Sequence, residues 1–283
     1  MPFQVFYKQA AYYLSGEAGY YRYNYFYFGL GQREVPRELY GVNFPRVRVN
    51  AFRQIFPAIK HGKLYAGLRY QYEDFGVTTV EPGGALAGNG VPGGRGSRLW
   101  GGGLGLFYDS RNELFFPTSG LVADVAYLAR NRATNTGPAG ETTAFDRYTV
   151  DVSSYHGLGK RMVLALNYFA SFTAGTAPFN ALSLLGGTRR LRGYYEGRFR
   201  DRNAALVQAE LRFTVYKRLG AVAFGGVGVL GDDTVLLRLN QGKAAYGAGL
   251  RFTANRRDHI NIRVDYALGQ ASSGLYVTLG EAF

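Results

Sequence analysis

The sequence predicts an all-β fold: a transmembrane, antiparallel β-barrel of about twelve strands. Three observations predict it. Apolar and polar residues alternate with a period of two, the alternating segments are long, and the connections between them switch between short and long.

The alternation is plain in four places. Leu64, Ala66, Leu68, Tyr70 and Tyr72 share one face, against Tyr65, Gly67, Arg69, Gln71 and Glu73. Leu164, Leu166, Tyr168, Ala170 and Phe172 oppose Arg161, Asn167 and Ser171. Val207, Ala209, Leu211 and Phe213 oppose Gln208, Glu210 and Arg212. Ile260, Ile262 and Val264 oppose His259, Asn261, Arg263 and Asp265. A soluble sandwich also alternates in this way. Length separates the two: most segments run about ten to fourteen residues, against ~5–6 in globular strands and ~9–11 for a tilted bilayer crossing.

Strands are expected near 10–23, 44–56, 63–75, 98–109, 120–131, 144–156, 161–174, 203–216, 219–230, 243–254, 259–269 and 274–283. That even count matches bacterial single-chain barrels and puts both chain ends on one side, the periplasm. Short connections fall at Gly157–Lys160, Lys217–Leu219 and Asn255–Asp258, and long ones at roughly 76–97, 131–143, 175–202 and 231–242. Outer-membrane barrels pair short periplasmic turns with long extracellular loops. Residues 10–283 form the barrel domain, and residues 1–9 a lead-in. Phe3, Phe6, Tyr7, Ala10, Tyr13 and Leu14 fit helical spacing, so the lead-in is expected as a short interfacial helix or a disordered segment rather than a thirteenth strand.

Composition agrees with this reading. There are 23 Tyr, 20 Phe and 40 Gly but no Cys, and 47% of residues are hydrophobic. No stretch approaches the ~20 apolar residues of a membrane helix. The absence of Cys excludes a disulfide framework and Cys-based metal sites. A net charge of +13 fits either a basic lumen with basic loops, or attraction to anionic headgroups and lipopolysaccharide phosphates. Nucleic acid is not an expected partner, because the charge is spread along alternating strands. Met1 leads into Pro2-Phe3-Gln4-Val5-Phe6-Tyr7 without a signal peptide, so the chain reads as a mature protein or a piece of one. Tyr20, Tyr21, Tyr23, Tyr25, Phe26, Tyr27 and Phe28 suggest an interfacial aromatic girdle, or alternatively a Tyr-rich edge strand.

Three segments carry a resemblance. Residues 105–120 read Gly-Leu-Phe-Tyr-Asp-Ser-Arg-Asn-Glu-Leu-Phe-Phe-Pro-Thr-Ser-Gly. Leu184–Tyr194 reads Leu-Leu-Gly-Gly-Thr-Arg-Arg-Leu-Arg-Gly-Tyr, and the chain ends Tyr276-Val277-Thr278-Leu279-Gly280-Glu281-Ala282-Phe283. In this order the three resemble the BamA/TamA superfamily of outer-membrane assembly and translocation barrels, also called bacterial surface antigens, over roughly residues 10–283. The family's usual barrel has about sixteen strands and follows periplasmic POTRA domains. The chain looks like the last twelve strands of such a barrel, without POTRA domains: a short branch, or a piece of a longer protein.

The resemblance implies a sixth extracellular loop folded into the lumen and carrying Leu191, Arg192, Gly193 and Tyr194. Arg192 would meet acidic groups on the inner wall, where a carboxylate matches the planar guanidinium. Gly193 would allow a tight turn, and Tyr194 would pack against the wall. The family's usual Phe-x-Asp-x-Gly partner is here Phe224-Gly225-Gly226-Val227-Gly228, so its Asp position is Gly226. Glu210 and Asp265, lumen-facing by parity, are the substitute acceptors. Alternatively, Arg192 is one of six solvated loop arginines with Arg189, Arg190, Arg198, Arg200 and Arg202. Asp109 and Arg111, with Pro117 and Gly120, read as a structural turn.

Leu275, Val277, Leu279 and Phe283 share one face of the last strand and resemble the family's C-terminal assembly signal. Glu281 interrupts that face near the periplasmic interface. A weak seam between first and last strands is implied, joining residues 10–23 to 274–283, with Ser15, Gly16 and Gly19 loosening the first strand. No catalytic chemistry is expected. His61, His156 and His259 sit at strand ends without a plausible Ser and Asp on a shared face, and there is no Gly-x-Ser-x-Gly, phosphate loop or metal-ligand cluster. Neither a cofactor nor a metal is expected. The resemblance implies protein or lipid insertion or transport at the outer membrane. The alternative is a passive pore or structural barrel that has lost the family activity. Expected partners are outer-membrane lipids and lipopolysaccharide, the barrel-assembly machinery during biogenesis, and client barrels or a second copy.

Overall fold

A computed structural model describes residues 2–8, 10–31, 33–59, 62–88, 90–134, 142–232 and 241–283. Its strands are β1 (Pro2–Tyr7), β2 (Tyr12–Leu30), β3 (Arg33–Ile59), β4 (Gly62–Thr79), β5 (Gly96–Asp109), β6 (Gly120–Thr134), β7 (Thr142–Gly157), β8 (Met162–Gly175), β9 (Ser183–Leu185), β10 (Phe199–Asp201), β11 (Asn203–Tyr216), β12 (Leu219–Gly231), β13 (Lys243–Asn255), β14 (Ile260–Gly269) and β15 (Ser272–Leu279). Thirteen of them form one antiparallel meander in sequence order. β9 and β10 form a separate ribbon inside the β8–β11 connection.

The alternation sets the two faces. Leu68, Leu104, Val207, Leu250 and Val277 are exposed on the outside, as lipid-facing residues must be. Gln208, Glu210, Arg212, Arg251, Arg263 and Asp265 are buried on the inside. The turns β7–β8, β11–β12 and β13–β14 define one end of the wall, and the long β8–β11 connection enters from the other.

Four expectations are corrected. Residues 2–7 are neither helix nor disordered lead-in but a thirteenth strand, pairing from Pro2↔Glu17 to Tyr7↔Tyr12. Lys8 and Ala10 take positive φ of 49° and 67°, so the chain reverses where a helix would have to continue. Phe6 then stacks on Tyr13 at 4.8 Å, and Gln4 donates to the Tyr13 hydroxyl at 2.9 Å. Pro2 consequently lies against the wall beside Glu17, away from the turn end.

The expected seam strand is not an edge. Ser15 pairs with both Gln4 and Asn50, and Gly16 with both Phe3 and Val49. Gly16 is there for close approach: a Cβ would stand 2.1 Å from the Arg48 carbonyl oxygen. Among the described residues, Gly19 pairs with Arg46 alone. Among the described residues no ladder joins β1 or β2 to β15, so the sheet is not closed by hydrogen bonds.

The third correction concerns length. β2 and β3 run 19 and 27 residues and continue together past the expected strand ends, so only residues 31–32 separate them. The fourth concerns the aromatics. Tyr20 and Tyr23 are exposed, as a girdle requires, but Tyr27 is buried and Tyr21 and Tyr25 partly so. Tyr27 joins Tyr40, Val42, Phe44, Phe75, Leu86, Val91 and Phe179 in a core between the long hairpin and the inward loop. Tyr27 meets the Phe179 ring edge-on at 5.8 Å.

Candidate functional site: a charged anchor inside the barrel

The β8–β11 connection turns inward. A short 3-10 turn at Phe179–Ala181 leads into the β9–β10 ribbon, whose tip spans residues 186–198. Gly187 N–H donates to the Tyr194 carbonyl at 2.9 Å, closing the tip. Leu191, Arg192 and Tyr194 are all buried. Leu191 and Tyr194 belong to a core with Phe169, Leu185, Phe199, Leu206 and Leu230, which pins the loop to the wall by apolar contact. The wall opposite is bare where the loop lies: a Cβ on Gly269 would stand 2.4 Å from the Tyr194 ring.

Arg192 sits between the two acids picked out by parity. Its Nη1 donates to Asp265 Oδ2 at 2.5 Å and its Nη2 to Glu210 Oε2 at 2.6 Å. Its guanidinium carbon stands 3.5 Å from the Phe224 ring centroid, so the Phe of the altered motif serves as a cation–π partner. The residue at the missing Asp position, Gly226, faces Gln208, which accepts from Leu191 N–H at 3.3 Å and donates to the Arg189 carbonyl at 2.9 Å. An amide therefore holds the loop where the family's acid would stand. Gly193 takes φ 115° and donates its N–H to the Tyr276 hydroxyl at 2.9 Å. The Tyr194 hydroxyl donates to the Ala244 carbonyl at 2.7 Å and accepts from Gln270 N–H at 2.8 Å.

The network is larger than the predicted triad. Arg212 Nε donates to Glu210 at 2.8 Å, and Arg251 Nη1 to Asp265 at 2.6 Å. Arg263 Nε lies 3.6 Å from Asp265 and donates to Thr278 Oγ1 at 2.7 Å. The third carboxylate is Glu281. Period-two parity assigns Glu281 to the outer face with Leu275, Val277, Leu279 and Phe283. Leu275, Val277 and Leu279 are indeed exposed there. Gly280, at φ 80°, then turns the chain inward. Glu281 accepts from Arg251 Nε at 2.8 Å and from Asn261 Nδ2 at 2.8 Å. Ala282 accepts from Arg189 at 3.1 Å, and Phe283 from Arg212 at 2.9 Å through its backbone oxygen. Phe283 thus leaves the face it is expected to share.

Parity alone places Arg212, Arg251, Arg263 and Tyr276 on the lumen side. Glu281 carries no such pointer, because the inward turn at Gly280 breaks the period. Elsewhere, Arg111 donates to Asp109 at 2.6 Å within the β5–β6 turn. His156 stands 3.2 Å from Ser154, and His259 Nδ1 2.8 Å from Glu113. His61 lies outside the described residues.

Known barrels share this architecture. The Omp85 superfamily domain matches residues 40–283. BamA from Haemophilus ducreyi lacking POTRA domains 1–3 superposes with a TM-score of 0.60 at 15% identity, covering 98% of this chain and 60% of that one. CdiB from Acinetobacter baumannii gives 0.58 at 15%, covering 93% and 45%, and CdiB from Escherichia coli 0.58 at 12%, covering 95% and 49%. The chain thus spans less than two thirds of the length of these structures. No curated protein sequence matches it. The likenesses show the barrel fold, and no POTRA region lies among the described residues. The domain match over most of the chain identifies it as a member of the Omp85 superfamily of outer-membrane barrels.

Proposed function

We propose that this barrel inserts or moves substrates at the outer membrane by way of the unpaired edge of its last strand, and that its substrates are proteins able to form strands. One observation carries the reading: among the described residues, β15 pairs on one side only, with β14. A free edge offers a row of N–H and C=O groups, a template for another strand. In hydrocarbon each such unmade hydrogen bond costs several kcal/mol, so an incoming strand is strongly favoured there. Leu275, Val277 and Leu279 present an apolar outer face next to that edge. Membership of a superfamily that includes insertion and translocation barrels supports the reading.

The packed loop speaks against the alternative of a passive pore, since Leu191, Arg192 and Tyr194 are buried where an open channel would be. The test is folding of a second, unrelated barrel into liposomes that contain this protein. Acceleration over protein-free liposomes is expected, together with small or absent conductance in planar bilayers. Equal folding rates with and without the protein, accompanied by large stable channels, would establish the pore instead.

A further inference from the structure

At the turn end of the lumen, next to the anchor, lies a cavity of about 410 Å³. Three turns and the β5–β6 connection bound it. Lys160 and Arg161 come from β7–β8, Lys217 and Arg218 from β11–β12, and Arg212 and Arg251 form the face shared with the anchor. Its one acidic lining residue, Glu113, is already engaged by His259 at 2.8 Å. Among the described residues, none of the four turn cations has a carboxylate within salt-bridge distance; Lys217 sits only over the Tyr216 ring, at 4.9 Å.

A second, independent feature points the same way. Arg212 has a side chain only 2% exposed, yet its Nη1 donates no hydrogen bond. A buried guanidinium N–H without an acceptor is costly and marks a place where an acceptor belongs. The anchor itself holds four arginines, Arg192, Arg212, Arg251 and Arg263, against three carboxylates, Glu210, Asp265 and Glu281.

We propose that this cavity binds a phosphate group, presented by a phospholipid headgroup of the adjacent leaflet. Several guanidinium forks and ammonium groups converging on one space match a tetrahedral oxyanion, which accepts from many donors at once. The rim places the cavity at headgroup depth. Leu114, Phe115, Leu158, Val215, Tyr216 and Leu219 are exposed apolar residues on the same turns. Apolar and aromatic side chains beside cations are the side-chain mixture of a membrane interface. Glycines and turn residues leave the space open, and the His259–Glu113 contact ties the β5–β6 connection across one side of it.

The test is calorimetric titration of the full chain, refolded in a zwitterionic detergent, with short-chain phosphatidic acid, inorganic phosphate and hexaglutamate as separate probes. Saturable binding of phosphatidic acid at one site is expected. The combined substitution Lys160→Gln, Arg161→Gln, Lys217→Gln, Arg218→Gln should weaken it about a hundredfold or more, given the contribution of each cation near an anionic surface. The charge-retaining pair Arg161→Lys, Arg218→Lys should bind within a fewfold of the parent. Heat-modifiable gel mobility checks folding, and if the fourfold variant does not fold, Lys217→Gln with Arg218→Gln carries the test with a smaller loss. Tight phosphatidic acid with weak inorganic phosphate supports a lipid ligand. Equal binding of the two, lost together in the variant, supports a phosphate site filled from solution. No saturable binding of either, affinity unchanged by removing the cations, or tighter binding of hexaglutamate than of both overturns the proposal.

Discussion

Glu281→Gln tests whether the last residues of the chain hold the lumen together. The substitution keeps the side-chain oxygen that accepts from Asn261 at 2.8 Å but removes the charge facing Arg251 at 2.8 Å and Arg212 at 3.9 Å. At an effective dielectric of about 20 those two attractions are worth about 6 and about 4 kcal/mol before desolvation. Desolvation cancels much of that, and breaking a buried pair from one side costs ~3–5 kcal/mol net. With the Asn261 bond retained, the expected loss is about 3 kcal/mol. Arg192→Gln instead removes the cation that bridges two fully buried carboxylates, Asp265 at 2.5 Å and Glu210 at 2.6 Å. Arg212 and Arg251 still face those acids, at 2.8 and 2.6 Å, so a loss of about 3 kcal/mol or more is expected there too. Guanidinium unfolding in micelles, followed by the fluorescence of Trp100, the single tryptophan, measures both. A loss below about 0.5 kcal/mol for Glu281→Gln, the level of an ordinary surface change, would refute the assignment.

Three further outcomes follow from the same geometry. Gly193→Ala forces a side chain into φ 115°, with its Cβ 2.9 Å from the Leu268 carbonyl carbon; a cost of about 1–3 kcal/mol is expected, with faster tryptic cleavage at Arg189 and Arg190 as the loop loosens. Tyr194→Phe strips the Ala244 carbonyl and Gln270 N–H of their shared partner and should lower stability by about 2 kcal/mol in the same unfolding assay. Gly226→Asp, which restores the family's acid, should destabilise by about 1–3 kcal/mol rather than strengthen the anchor. Its Cβ would stand 2.7 Å from Gln208 Cβ and 3.0 Å from the Val207 carbonyl oxygen, and an unfolding midpoint above that of the parent would contradict this.

Where period-two alternation persists, it reveals which way each side chain points. That is why the orientations of Glu210, Asp265, Leu275, Val277 and Leu279 are legible in the sequence. Alternation does not say which strand pairs with which, so an edge cannot be told from an interior strand. Ser15, Gly16 and Gly19 look the same in either. Residues 2–7 mislead because six residues fit helical and strand spacing equally well, and a backbone reversal at Lys8 and Ala10 decides between them. The aromatic run fails as a girdle for a tertiary reason: the β2–β3 hairpin outruns the barrel wall and finds Phe179 of the loop to pack on. Glu281 escapes the pattern for a local one. A single positive-φ glycine at 280 ends the strand and swaps faces, and Gly280 reads no differently from glycines inside strands.

The anchor and the free edge meet in the same strand, and this constrains how the edge can be used. On its lumen side β15 contributes Tyr276, which accepts from Gly193 N–H and donates to the Tyr194 carbonyl at 3.2 Å, and Thr278, which accepts from Arg263. Just beyond the strand comes Glu281. On its other edge and its outer face it contributes only unpaired backbone and Leu275, Val277 and Leu279. A strand that adds to the free edge gains backbone hydrogen bonds and disturbs none of the lumen contacts. Peeling β15 away from β14 instead breaks the ladder from Ile262↔Leu279 to Gly269↔Ser272. It also takes Tyr276 from the loop and the Glu281 carboxylate from Arg251. Adding a strand beside β15 is therefore far less costly than detaching it.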